Sequence, residues 1–157
     1  TTLSRLVGIS RGYAGDFPGS AQGLTDVIRE AGYTMDGVTV AEGSGLSIDD
    51  HLTTTILTEI FQDVYACDGC ALAAIPSGLP VMGLNGTLYD RLGDEHMGGR
   101  VRAKTGTLIK SNSLSGYLMT DQGRLLTFSI LVDGIEPGTS PVARDAQDDF
   151  LIALAGL

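Results

Sequence analysis

Several residue types are scarce in this sequence, and each shortage excludes a class of protein. Its 157 residues contain no tryptophan, two cysteines, two histidines and ten basic side chains against nineteen acidic ones. The formal net charge of −9 argues against nucleic acid or an anionic membrane as the main partner. No apolar run reaches the roughly eighteen residues that a membrane-spanning helix needs. With 43% hydrophobic and 18% charged residues, the composition predicts one globular domain over residues 1–157.

The two cysteines, Cys67 and Cys70, are separated by two residues. This spacing fits half of a zinc site, a disulfide or redox pair, or two small, partly buried thiols near a helix end. A complete zinc site would also need His51 and His96, which are scattered and unpaired in the sequence. We therefore favour the two thiols, keep a disulfide as the alternative, and expect neither a metal nor another cofactor.

The first half of the sequence shows helical periodicity in two places. Pro18 and Ser20 open a predicted helix that Gly32 ends. After a short predicted strand at residues 38–41, Ser47 is the predicted cap of a second helix. The apolar face of that helix is formed by Leu52, Ile56, Leu57, Ile60, Phe61 and Val64.

The second half changes from mixed structure to strands. Residues 68–98 are broken by Gly, Pro and Asn and are predicted to hold one or two short helices. Alternating patterns then predict three consecutive strands, at residues 100–108, 112–120 and 125–133, with a tight turn at 121–123. A final helix follows Pro141, with an apolar stripe of Val142, Ala146, Phe150 and Leu154. Together these elements predict an α+β fold, in which helices pack on an antiparallel sheet.

The sequence Lys104-Thr105-Gly106-Thr107 is the strongest candidate for a binding site. It is not a phosphate loop, because Ala103 precedes the lysine and the segment is predicted as a strand. On a strand, Arg100, Arg102 and Lys104 share one face and form a positive field suited to a carboxylate. Gly106 has no β-carbon, so the backbone of a ligand peptide could lie close to the strand. The peptide could then pair with the edge of the sheet as an added strand. The alternative is that these charges only protect an edge strand from aggregation.

Longer motifs link this segment to a known family. Lys104-Thr105-Gly106 resembles the Lys-Thr-Gly motif of penicillin-binding proteins and serine β-lactamases. Residues 42–47, Glu-Gly-Ser-Gly-Leu-Ser, resemble a signature of the D-Ala-D-Ala carboxypeptidases of peptidase family S13. Further similar stretches follow in family order over about residues 18–134, namely Gly78-Leu79-Pro80-Val81, Gly86-Thr87-Leu88 with Arg91, and Leu114-Ser115-Gly116-Tyr117. The resemblance implies part of the β-lactamase/transpeptidase-like fold.

The resemblance also implies a function and a set of site residues. Members of this family are serine-type carboxypeptidases that cleave peptidoglycan stem peptides and react with penicillins, outside the cytoplasm in the periplasm or cell wall. Lys104 would then receive the terminal carboxylate of the peptide, or the equivalent group of a β-lactam. The Thr105 hydroxyl would add a hydrogen bond, Gly106 would allow close approach, and the backbone N–H of Thr107 would lie in the oxyanion hole.

The catalytic part of the family pattern is missing. Catalysis in this family requires a Ser-x-x-Lys motif, in which a serine lies three residues before a lysine. The sequence has two lysines, and the residue three positions earlier is Val101 for Lys104 and Thr107 for Lys110. The one catalytic candidate is Ser10, which could belong to a Ser-x-Asn motif, although Gly12 replaces the asparagine and an ordinary loop hydroxyl is the favoured interpretation.

We therefore expect this chain alone to be inactive. A missing amino-terminal segment or a complementing chain would have to supply the serine and lysine. The alternatives are a non-catalytic module that binds peptide carboxylates, or a truncated product without activity.

Overall fold

The computed structural model describes residues 2–93 and 96–157, which form two compact units. The first unit ends at Glu59 and the second is Ile60–Leu157. Such units can belong to one domain, so the single domain expected from the sequence stays a prediction. Five α-helices and a three-stranded antiparallel sheet confirm the predicted α+β class.

The first unit contains helices α1 (Thr2–Ser10) and α2 (Phe17–Glu30). Helix α2 begins close to its predicted start, because the Asp16 carboxylate accepts a hydrogen bond from the N–H of Gly19 at 2.8 Å and caps the first turn. Helix α1 has no counterpart among the predicted elements. It packs on α2 so closely that a β-carbon at Gly8 would lie less than 3.0 Å from the α2 backbone.

Helix α3 (Thr54–Ala66) corrects the predicted second helix, whose start at Ser47 is wrong. The hydroxyl of Thr53 accepts a hydrogen bond from the N–H of Ile56 at 3.3 Å and is the capping group. The hydroxyl of Ser47 instead accepts a hydrogen bond from the N–H two residues later, at 3.1 Å, and stabilises a turn. Leu52, assigned to the apolar face, lies outside the helix and is exposed.

The described residues between α3 and the sheet form short helices, as predicted. A 3₁₀ turn covers Ala71–Ala74, helix α4 covers Ile75–Gly78, and a second 3₁₀ turn covers Gly86–Leu88. Just before them, Cys67 and Cys70 form a disulfide bond, with their Cα atoms 5.9 Å apart. The favoured interpretation as two thiols was therefore wrong, since a C-x-x-C turn brings the two side chains within bonding distance.

The sheet has the order β1 (Val101–Thr107), β2 (Ser111–Met119), β3 (Leu125–Asp133), with both pairs antiparallel. β3 has the predicted bounds, and the other two strands differ from the prediction by one residue at each end. The predicted turn is also present, since the N–H of Gly123 donates to the carbonyl of Thr120 at 3.0 Å.

Helix α5 (Ser140–Ala155) packs on β2 in the core of the second unit. The predicted stripe on α5 was wrong by one residue, since Val142 and Phe150 are 67% and 50% exposed. The buried stripe is Ala143, Gln147, Leu151 and Ala155. A glutamine in this stripe breaks the apolar pattern, whereas the exposed stripe is apolar throughout, and periodicity alone therefore selected the wrong face.

Candidate functional site

The outer edge of β1 is paired along only part of its length. The Val101 carbonyl accepts a hydrogen bond from the N–H of Met82 at 2.9 Å, and the Ala103 N–H donates to Pro80 at 3.1 Å. Within residues 2–93 and 96–157, no backbone hydrogen bond continues this pairing beyond Ala103. Backbone groups of alternate residues face the same side of a strand, so the N–H groups of Thr105 and Thr107 reach an open edge.

The ammonium group of Lys104 lies at this open edge. It donates a hydrogen bond to the carbonyl of Thr105, and the side chain is exposed. Arg102 is exposed on the same face, as predicted, whereas Arg100 precedes β1 and forms an ion pair with Asp121. The predicted row of three cations is therefore reduced to two that face solvent, because one charge is already compensated.

Gly106 has a structural reason to be a glycine. A β-carbon at this position would lie less than 3.0 Å from the hydroxyl of Ser113, its neighbour on β2 in the register. Close approach of the two strands therefore favours a small residue here without a ligand, although the Ser113 hydroxyl can rotate away from a methyl group. Its proposed role in admitting a ligand backbone stays a prediction.

Thr87 is a site residue to which the sequence analysis assigned no role. The hydroxyl of Thr105 donates to the hydroxyl of Thr87 at 2.9 Å, which joins the Gly86–Leu88 turn to β1. The Thr105 side chain leaves β1 on the face opposite to that of Lys104, because side chains alternate along a strand, while the backbone carbonyl of Thr105 accepts a hydrogen bond from the Lys104 ammonium. The only sequence signal was the similarity of Gly86-Thr87-Leu88 to a family stretch, which carried no information about spatial contact.

Ser10, the catalytic candidate, is the last residue of α1 and is exposed. Its hydroxyl donates to the carbonyl of Val7 at 2.8 Å, one turn earlier in the same helix. This is a common local bond for a helical serine. The catalytic role of Ser10 stays a prediction to which this contact adds no support.

Two cavities lie apart from residues 104–107. One cavity of about 260 Å³ is lined by residues of the first unit, and one of about 230 Å³ by residues around Arg91 and Arg144. Neither includes residues 104–107. In the described part of the chain, no three His, Cys, Asp or Glu residues are grouped so that they could hold a metal ion, and none of the helices could cross a bilayer.

Comparison with known proteins places the chain in a family. The sequence profile of the D-Ala-D-Ala carboxypeptidase 3 (S13) family matches residues 1–154. The chain belongs to the S13 family. A carboxypeptidase DacB from Mycolicibacterium smegmatis is 32% identical over 149 residues, which are 92% of this chain and 32% of that protein. A D-alanyl-D-alanine carboxypeptidase from Actinomadura is 28% identical over 158 residues, 98% of this chain and 28% of that protein. The chain thus spans about a third of the length of its S13 relatives.

Solved structures agree with this S13 assignment at the level of the fold. Penicillin binding protein 4 from Haemophilus influenzae, solved in complex with a β-lactam, superposes with a TM-score of 0.86 and 19% identity. The superposition covers 99% of this chain and 37% of that one. A predatory endopeptidase from Bdellovibrio bacteriovorus gives a TM-score of 0.66 and 18% identity, over 86% of this chain and 38% of that one.

The S13 signature at residues 42–47, here called the Glu42 loop, is a closed hydrogen-bonded structure. The Glu42 carboxylate accepts bonds from the hydroxyl and N–H of Ser44 and from the N–H groups of Leu46, at 3.0 Å, and Ser47, at 3.3 Å. These bonds, first that of the Ser44 hydroxyl, lower the pKa of Glu42 to about 2. The hydroxyl of Ser44 is thereby engaged in shaping the loop.

Proposed function

We propose that this chain forms the carboxylate-recognition part of a serine-type D-Ala-D-Ala carboxypeptidase that acts on peptidoglycan stem peptides. The observation that carries the proposal is the open edge of β1, where the Lys104 ammonium lies beside the free N–H groups of Thr105 and Thr107. Membership of the S13 family and the likeness to a protein solved with a β-lactam support it.

The open edge offers both kinds of contact that a peptide end requires. A stem peptide would add to β1 as an antiparallel strand, with its carbonyl groups accepting from the N–H groups of Thr105 and Thr107. Its terminal carboxylate would bind the Lys104 ammonium and, once the Thr105 hydroxyl turns its proton away from Thr87, that hydroxyl as well, as would the carboxylate of a β-lactam. The Thr107 N–H would then stabilise the oxyanion that develops at the attacked carbonyl.

The proposal assigns recognition, and not catalysis, to this chain. The sequence contains two lysines, and neither lies three residues after a serine. Without the serine nucleophile and its lysine base, such a unit loses orders of magnitude in rate, because the catalytic residues act together. The serine and lysine would come from a preceding segment or from a complementing chain. The site of action would be outside the cytoplasm, where peptidoglycan is found.

A penicillin-labelling experiment tests the division between recognition and catalysis. The purified chain is incubated with a fluorescent penicillin, denatured and separated by electrophoresis. We expect no covalent adduct, because the nucleophile is absent. A denaturation-resistant fluorescent band on this chain would show that a nucleophile, such as Ser10, has been overlooked.

A titration tests recognition itself. We expect the chain to bind an acyl-D-Ala-D-Ala peptide weakly, reversibly and less tightly at high salt, since one exposed ammonium supplies most of the attraction. The same peptide with an amidated terminus is the matched control and should not bind. If no binding is detected at millimolar peptide, the proposed site does not exist, and a truncated product without activity becomes the better interpretation.

A second candidate function is a binding module that never catalyses. The observation in its favour is that the edge of β1 and Lys104 are present while the Ser-x-x-Lys motif is absent from this chain. Adding a segment from an S13 relative that carries the motif discriminates between the two functions. Restored penicillin labelling would indicate part of an enzyme, and reversible binding without labelling would indicate a module.

A further inference from the structure

Gln147 is the one polar residue in the buried stripe of α5, and it is 1% exposed. Its carbonyl oxygen accepts bonds from both terminal nitrogens of Arg91 at 3.4 Å, and its amide nitrogen donates to the side-chain oxygen of Asn112 at 3.1 Å. Asn112 is 3% exposed and lies opposite Thr107 in the β1–β2 register. A buried row of polar groups thus leads from Arg91 to the end of the candidate site.

The direction of every hydrogen bond in this row follows from Arg91. A guanidinium group can only donate, so the carbonyl oxygen of Gln147 must face Arg91 and its amide nitrogen must face Asn112. The oxygen of Asn112 must then face Gln147, and its amide nitrogen faces the opposite way. That nitrogen donates to the hydroxyl of Ser140 at 2.7 Å and to the hydroxyl of Thr107 at 3.4 Å.

This direction has a consequence for Thr107. Because its hydroxyl oxygen accepts a bond from Asn112, its own proton is available to an acceptor in solvent, and the residue is exposed. We propose that Gln147 is a positioning residue that acts through Asn112 to turn the Thr107 hydroxyl proton towards an anionic ligand on the open edge of β1. The inference rests on the proposed function, since the ligand is the peptide carboxylate or β-lactam that this edge would bind.

Stability alone does not explain the row of polar groups. Replacing a buried polar network by apolar side chains of similar volume is often neutral or stabilising, so hydrophobic packing would hold α5 against β2 at least as well. A polar network contributes what packing cannot, namely a fixed direction for each donor and acceptor. At the Arg91 end of the row, the direction of donation is fixed as well. Arg91 forms an ion pair with Asp148 of α5 and donates to the carbonyl of Arg144 at 3.1 Å, so its guanidinium group is held in place.

The decisive variant reverses the direction at nearly constant volume. In Gln147→Glu, a carboxylate that only accepts replaces the amide, so Asn112 must turn its amide nitrogen towards residue 147 and its oxygen towards Thr107. The Thr107 hydroxyl then donates inward and is lost to the ligand. We expect acyl-D-Ala-D-Ala binding about tenfold weaker, as for the loss of one hydrogen bond to a charged group. Asn112→Asp should produce the same reversal from a second position and replaces the first variant if that one does not fold.

A double-mutant cycle separates positioning from a general structural effect. In a Thr107→Val background the hydroxyl is absent, and Gln147→Glu should then leave the affinity unchanged. Leu151→Ala, in the same buried stripe of α5, is the matched control: it should lower the melting temperature without changing the affinity. Equal weakening by Gln147→Glu with and without the Thr107 hydroxyl, or the same weakening by Leu151→Ala, would overturn the inference.

The side-chain amide resonances of Asn112 test the row without any ligand. We expect them to shift in Gln147→Glu and to stay in place in Leu151→Ala, because only the first change reverses the amide. A wild-type chain that binds no peptide would contradict the proposed function, while shifted Asn112 resonances would still uphold the directed row. Unshifted Asn112 resonances would overturn the inference whether or not the peptide binds.

Discussion

In the Glu42 loop, one carboxylate accepts the hydrogen bonds of the residues around it, whereas in residues 104–107 the backbone N–H groups of Thr105 and Thr107 reach an open edge. Both segments resemble family motifs. Their polar groups are nevertheless satisfied in opposite ways, by the chain itself in the loop and by solvent or a ligand on the strand.

The difference shows how two similar motif matches can have different meanings. A segment whose donors are already bonded has none to offer a ligand, so its sequence is constrained by its own folding. A segment with free donors beside an ammonium group can offer those donors to a ligand, as we propose for residues 104–107. Changes at Lys104, Thr105 and Thr107 should therefore affect binding more than stability, and changes in the Glu42 loop should do the reverse.

The largest effect is expected from Lys104→Ala. Loss of a hydrogen bond to a charged group should weaken acyl-D-Ala-D-Ala binding about thirtyfold, while the free energy of unfolding stays unchanged because the side chain is exposed. Calorimetric titration and urea unfolding measure the two quantities. Lys110→Ala, which removes the other lysine, is the matched control. If both variants weakened binding to a similar degree, the loss would be explained by the change in net charge, and a specific site at Lys104 would be contradicted.

Gly106→Ala should lower the free energy of unfolding by about 1 kcal/mol, because the Ser113 hydroxyl must rotate away from the new methyl group. Urea unfolding measures the loss, and adding Ser113→Ala should restore stability by removing that hydroxyl. If the double variant is as unstable as the single one, the strand-packing explanation is wrong. Peptide binding by the restored variant then shows whether a ligand also requires the glycine.

Thr87→Val and Thr105→Val should each weaken peptide binding about threefold, since each removes one neutral hydroxyl from a hydrogen-bonded pair. The effects should not add in the double variant, because the two hydroxyls act as one unit. Titration of the three variants measures this, with Thr58→Val on α3 as a control. Fully additive losses would show that Thr87 and Thr105 act independently.

The smallest effect is expected from Glu42→Gln, which should change pH-dependent stability and leave peptide affinity unchanged. The pKa of Glu42 is lowered from 4.5 to about 2, chiefly by the Ser44 hydroxyl. Its carboxylate therefore stabilises the fold fully above about pH 4.5, and this contribution disappears as the pH falls through about 2. Melting temperatures measured between pH 2 and pH 5 should fall less steeply in the variant. An unchanged slope would contradict the structural role of the loop.

Local patterns were reliable where the decisive interactions are local. Alternation along β3 predicted its bounds without error, because period two follows from strand geometry alone. The start of α3 was misplaced because Ser47, followed by two aspartates, has the same pattern whether it caps a helix or a turn. Helical spacing also failed on α5, where tertiary contacts place the polar side chain of Gln147 in the core.

The sequence named the residues proposed for the candidate site, and their role stays a prediction; the sequence did not show which other residues contact them. The motif itself was enough to name Lys104, Thr105, Gly106 and Thr107, because a motif is defined by residue types in a fixed order. Thr87 could not be found in this way, because its contact with Thr105 joins residues eighteen positions apart through a turn of no regular period. Arg100 was assigned to the positive face from strand alternation alone. Its ion pair with Asp121 could not be predicted, because it forms only when antiparallel pairing brings the end of β2 next to the start of β1.

By itself, the sequence determined the class of fold, the three strands and the motif at residues 104–107, since these depend on short-range periodicity and residue chemistry. Only the tertiary structure decided which part of β1 remains open, which face of α5 is buried and how Gln147 connects Arg91 to Asn112. Those features depend on distant segments meeting with their donors and acceptors matched. The sequence pattern of one strand or helix does not show which residues of another element it will contact.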